Sequence, residues 1–179
     1  MPVTAEMIKE LRQLSGAGVM ECKKALEATD GDLKRAQEIL REKGLTMAAK
    51  KTERVARQGL IESYVHQSRI GALVELNCET DFVARTPDFK ELAHALAMQV
   101  VGAQPQYLKP EDVPAAVLEE QKRVCGDDLS KFYGEACLLK QLSIKDQTKT
   151  VQDLITEAIA KTGENIVLRR FARFELGIE

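Results

Sequence analysis

At 179 residues, 44% apolar and 30% charged, the chain has room for one ordinary domain with a core of its own and a small satellite. Its longest apolar runs, such as residues 95–98, fall far short of the about 20 that a membrane span needs, and no early apolar stretch of about 7–15 residues reads as a secretory signal. The expectation is a soluble protein that stays where it is made, and a net charge of −2 with 4% aromatics and no Trp argues against nucleic acid as partner.

Residues 1–45 predict three short helices. Thr4 can cap the first, with Met7, Leu11 and Leu14 on one stripe before Gly16. The second follows Gly18, lines up Val19, Cys22 and Leu26, and stops near Asp30-Gly31. The third starts at Asp32, carries Leu33, Ala36 and Leu40, and ends at Lys43-Gly44, a cation and a glycine at the negative end of the helix. Three short helices form a satellite bundle with a small core.

Residues 46–58 hold Lys50, Lys51, Arg54 and Arg57 against one acid, Glu53, and read as a linker with a solvated basic face. Residues 59–179 make the second domain. Residues 60–66 and 72–78 alternate as two strands of a hairpin. Thr86-Pro87-Asp88 is a cap, a first-turn proline and an acid, followed by a buried stripe of Phe89, Leu92, Ala93, Leu96 and Val100. Residues 105–114 form a proline-punctuated connector, and residues 115–140 a weaker helical stretch broken at residues 126–128. Thr150 and Asp153 mark a capping box, and a final strand places Ile166, Leu168, Ala172, Phe174 and Leu176 on one face, interrupted by Arg170. Strands at both ends of a helical middle imply an α+β fold, an antiparallel sheet covered by helices on one side.

Catalytic chemistry is not legible. His66 and His94 lie in no triad-like motif, no paired carboxylates stand out, and Gly16-Ala-Gly18 lacks the strand and further residues of a phosphate loop. Cys22, Cys78, Cys125 and Cys137 lack metal-ligand spacing and are expected to be buried, reduced thiols. No cofactor and no metal are expected. A thiol enzyme would need Cys22 activated by Lys23 or Lys24.

Two segments exceed what fold construction needs. After the glycine turn, Val19 and Met20 cannot both face one narrow core stripe; Met20 is either loosely buried or, beside Arg12, part of an adaptable binding patch. Between the second strand and the long helix, Phe82 either packs on the core, the plainer reading, or projects as a wedge from a turn held by Asp81.

At these segments the chain resembles the elongation factor Ts family. Ser15-Gly-Ala-Gly-Val-Met-Glu-Cys-Lys-Lys-Ala-Leu26 is similar to its N-terminal signature, Thr80-Asp81-Phe82-Val83 to its second, and Gly163-Glu-Asn-Ile-Val-Leu-Arg-Arg-Phe-Ala-Arg-Phe-Glu175 to its C-terminal strand. The resemblance implies a ubiquitin-associated-like bundle before the α+β core, nucleotide exchange on elongation factor Tu, and a cytoplasmic setting or the stroma or matrix of a bacterial-type organelle. Arg12, Val19 and Met20 would grip the GTPase domain of Tu. Thr80, Asp81, Phe82 and Val83 would disturb its magnesium site, and Ile70 and Gly71 would add a further contact. Short members pair as homodimers; Ala172 stands where some carry a linking cysteine, so a dimer here would be non-covalent. Gln99 replaces a histidine that contacts Tu, Leu142-Ser143 replaces a Pro-Phe pair, and the region of residues 125–130 is shorter than usual. The alternative class is a general module that binds peptides or ubiquitin-like partners through the bundle.

Overall fold

Thr4 accepts a hydrogen bond from the Met7 N–H and opens helix α1 (Ala5–Ser15), which Gly16 closes in the left-handed region at φ 66°. Helix α2 (Val19–Ala28) follows, and Asp32 caps α3 (Leu33–Lys51) by accepting from Lys34 and Arg35 N–H. Leu11, Cys22, Ala25, Leu26, Ala36 and Leu40 form the core of this bundle. The computed structural model describes residues 3–178, and at positions 45 and 47 the backbone alone. Met1, Pro2 and Glu179, at the outer ends of the two expected domains, lie outside the described residues.

Helix α3 does not stop at Lys43-Gly44. It crosses the expected boundary at residue 45 and takes up the first part of the expected linker, leaving only residues 52–57 irregular. The reason is tertiary. Gly44 lies against helix α8 (Val151–Thr162) at Ala160, and Ala48 enters the main core, so the helix gains more by continuing than its local stop signal offers.

Strands β1 (Gln58–His66), β2 (Ile70–Cys78) and β3 (Val167–Glu175) form one antiparallel sheet with β2 in the centre. The hairpin turns through Gln67 and Ser68, both at positive φ, with Arg69 N–H donating to the His66 carbonyl. After β2 come a one-turn helix α4 (Asp81–Ala84) and the long α5 (Pro87–Ala103), capped by Thr86. Helices α6 (Ala115–Cys125) and α7 (Ser130–Ala136) flank the expected break. Thr150 and Asp153 close the capping box that opens α8. Leu60, Val74, Leu76, Leu168 and Phe171 on one face of the sheet pack with Phe89, Leu96, Val100, Ile155 and Ile159. No helix among the described residues is long and apolar enough to cross a membrane.

Two further expectations need correction. The last strand does not keep one face. Glu75 pairs with Arg170 but Leu76 pairs with Leu168, so Arg169 is the extra residue of a bulge. Beyond it the alternation inverts: Phe171 joins Val74 on the helix side, while Ala172 and Phe174 turn to the other face beside Leu73 and Gly71. The second correction concerns cysteine. Cys22, Cys78 and Cys137 are buried free thiols, but Cys125 is exposed at the end of α6, a helix that buries none of its residues.

Candidate partner-binding site

Helix α4 is too short to hold itself, since one turn fixes several dihedral angles for very few bonds. Its neighbours hold it. Thr80 Oγ1 accepts from Val83 N–H at 3.3 Å, and Thr86 Oγ1 donates to the Val83 carbonyl at 2.7 Å. On its inner side Val83, 7% exposed, and Ala84 enter the main core. On its outer side Phe82 is 78% exposed, the most open of the large apolar side chains among the described residues. The Asp81 carboxylate spans the turn from outside, pairing with Arg85 largely in solvent at 2.8 Å. Thus the four expected residues divide. Phe82 and Asp81 present themselves, Thr80 caps, and Val83 is the root.

The strongest support for this segment comes from a residue that the sequence reading passed over. Glu164, just after the Gly163 cap of α8, accepts from Glu79 N–H at 3.1 Å, Thr80 N–H at 3.0 Å and the Thr80 hydroxyl at 2.6 Å. Glu79 answers by accepting from Asn165 N–H at 2.6 Å. Burial, with the Glu164 carboxylate adding to it, pushes the neighbouring Cys78 thiol up to about 11. No signal in the string of residues pairs positions so far apart.

Around the turn at residues 16–18, Arg12 is exposed in the last turn of α1, and Val19 and Met20 are exposed at the start of α2, Met20 at 63%. Met20 is therefore not loosely buried but stands on the surface. Leu14, expected in the core stripe, is also exposed and flanks the same turn. Ser15 fixes the turn: its hydroxyl donates to the Leu11 carbonyl at 2.6 Å and accepts from Ala17 N–H at 3.3 Å.

Ile70 and Gly71 do not join Phe82. They begin β2 whereas Phe82 follows its end, about 25 Å of extended chain away. Ile70 packs against the main core, and Gly71 lies on the open face beside Val65 and Phe174. Gln99 is not presented at all. Buried within α5, its amide donates to Gln141 and to the Leu142 carbonyl and accepts from Ile144 N–H. Two of the four linker cations are also engaged, Lys51 on the Gly163 carbonyl at 2.6 Å and Arg54 near Glu79.

The class that the fold and surface define is an α+β protein with an N-terminal helical bundle, an exposed apolar cluster at the turn between α1 and α2, and a single exposed ring on α4. Residues 5–130 match the family model described as elongation factor TS. The chain is 48% identical over 194 residues to an elongation factor Ts of Thermodesulfovibrio yellowstonii, covering 99% of this chain and 98% of the relative. It is 51% identical to one of Heliobacterium modesticaldum, covering 98% and 90%, and 49% identical to one of Thermotoga maritima, covering 99% and 98%. The chain belongs to the elongation factor Ts family, and so among the elongation factors of protein biosynthesis.

Proposed function

We propose that this chain is the guanine nucleotide exchange factor of elongation factor Tu, binding Tu both with GDP and without nucleotide. The observation that carries the reading is Phe82: a large apolar ring held 78% exposed on a one-turn helix whose root is buried. Leaving such a ring in water forgoes about 1.5–3 kcal/mol, which a complex can recover. The ring enters the magnesium pocket of Tu and occupies space that the ion-bound conformation needs. With the ion displaced, the phosphates of GDP lose the charge that offsets theirs, and the nucleotide leaves.

Coupling is reciprocal, so whatever factor weakens GDP weakens this protein in return. A shift of about 10⁴-fold takes about 5.5 kcal/mol, more than one ring supplies. Arg12, Val19 and Met20, with Leu14 beside them, supply anchoring affinity from the bundle, whose three helices we take as ubiquitin-associated-like. The bundle of residues 1–45 and the core of residues 59–179 are the two working parts, with α3 passing from one into the other. The protein has no catalytic group or cofactor of its own in this role, and acts in the cytoplasm, or the stroma or matrix of a bacterial-type organelle, without nucleic acid or membrane.

The open face of the sheet suits a non-covalent homodimer. Ile61, Val65, Leu73 and Phe174 are exposed there, with Ala172 opposite Leu73 offering no thiol. In such a pair, one Tu molecule can touch parts of both subunits.

The test is stopped-flow release of a fluorescent GDP analogue from Tu. Phe82→Ala should slow release at saturating factor by about tenfold or more, while Tu binding survives through the bundle. Release at the wild-type rate would remove Phe82 from the mechanism.

A further inference from the structure

Helix α4 carries Phe82 on a single turn, so the direction of the ring has to be set from outside that turn. Two supports are visible. One is the burial of Val83 and Ala84 behind the ring. The other is the Glu164 carboxylate, which gathers both backbone N–H groups that lead into the helix together with the hydroxyl of its cap. Three bonds of 2.6–3.1 Å to one side chain leave residues 79 and 80 little freedom to rotate.

The same junction extends further. Asn165 donates its backbone N–H to Glu79 and its side-chain amide to the Arg54 carbonyl at 2.7 Å, while Lys51 reaches the Gly163 carbonyl. Three stretches far apart in the chain, residues 51–54, 79–80 and 163–165, are therefore laced together. The first of them ends α3, the helix that belongs to the bundle. Anchor and ring are held to one junction.

We propose that Glu164 is a positioning residue for nucleotide exchange: clamped on Glu79 and Thr80, it sets the angle at which Phe82 leaves the core. The inference rests on the exchange function proposed above. Glu164 touches no partner in this role. It acts through Thr80 and the first turn of α4, so its loss should misdirect the ring while leaving the patch at Arg12, Val19 and Met20 intact. Small misplacement of a positioned group is enough to cost large factors in rate.

The experiment is a double-variant cycle with full-length protein and Tu loaded with the fluorescent GDP analogue. Glu164→Ala should lower the maximal release rate about tenfold and leave the half-saturating concentration of the factor unchanged. In the Phe82→Ala background, the same change should have no further effect, because an absent ring cannot be misdirected. Glu164→Gln, which keeps the length and an acceptor oxygen, should restore most of the rate. If Glu164→Ala does not fold, as read by circular dichroism, Glu164→Asp takes its place, drawing the carboxylate back from Glu79 and Thr80 while leaving the Thr80 cap intact. Equal slowing with and without Phe82, a raised half-saturating concentration in place of a lowered maximum, or a wild-type maximal rate would each overturn the inference. The functional reading fails separately, if Phe82→Ala alone releases GDP at the wild-type rate.

Discussion

Gly44 of α3 lies against Ala160 of α8, so closely that a Cβ added at Gly44 would stand 3.5 Å from the Ala160 Cβ, an ordinary contact. A glycine inside a helix costs backbone entropy, and here the space to replace it exists. Gly44→Ala is expected to stabilise the protein by about 0.5–1 kcal/mol. Gly59 gives the opposite sign. It sits at φ 146°, and an added Cβ would collide with the Leu76 carbonyl oxygen and the Asn77 Cα. Gly59→Ala should therefore destabilise by roughly 1–3 kcal/mol. Thermal unfolding followed by circular dichroism reads both, and a loss of stability in Gly44→Ala would mean that α3 and α8 have no room for a methyl.

The capping box of α8 should make stability depend on acid. Burial works against ionisation of Asp153, but the backbone and hydroxyl of Thr150 and the Arg41 guanidinium outweigh it, and its carboxyl is held below the ordinary 3.8. With the folded value lower than the unfolded one, this contribution is complete above pH 3.8 and is lost as pH falls through the folded value. Asp153→Asn is expected to lower the urea midpoint at neutral pH, with the gap to wild type closing below that point. A constant gap from neutral pH down to pH 2 would show that the charge of Asp153 is irrelevant.

Thiol reactivity should single out Cys125. It is exposed, whereas Cys22, Cys78 and Cys137 are buried. Burial raises the Cys78 thiol to about 11 and, with Asp112 and Glu111 nearby, also raises that of Cys137. Native protein treated with Ellman's reagent at neutral pH should release one rapid equivalent, and Cys125→Ser should abolish it. A rapid phase that persisted and mapped to Cys22 would instead revive a thiol-based activity.

Much of the fold was legible because its signals are local. Thr4, Thr86 and Thr150 each cap the helix they were expected to cap, and Asp32 caps the helix expected to start there, since a hydroxyl or carboxylate reaches N–H groups only two or three residues ahead. The hairpin and the break at residues 126–128 were readable for the same reason. The end of α3 and the face of β3 were not. A glycine after a lysine is a stop signal only where nothing rewards continuing, and Ala160 does reward it. An alternating strand keeps its faces only without an extra residue, and no feature of Arg169 announces the bulge.

The candidate site divides along the same line. Residue pattern alone left Phe82 undecided, leaning toward the core, and Leu14 looked like a core residue; family resemblance, not periodicity, turned Phe82 outward. Order along the chain determined the helices, their caps, the strand alternation and the motifs by which the family is known, because those rest on side chains within a turn or two of one another. Tertiary structure decided which side of α4 is root and which is ring, that Ile70 and Gly71 stand at the far end of β2, and that Glu164 meets Thr80 across 84 residues. Such contacts form only when the whole chain has closed, and no local spacing contains them.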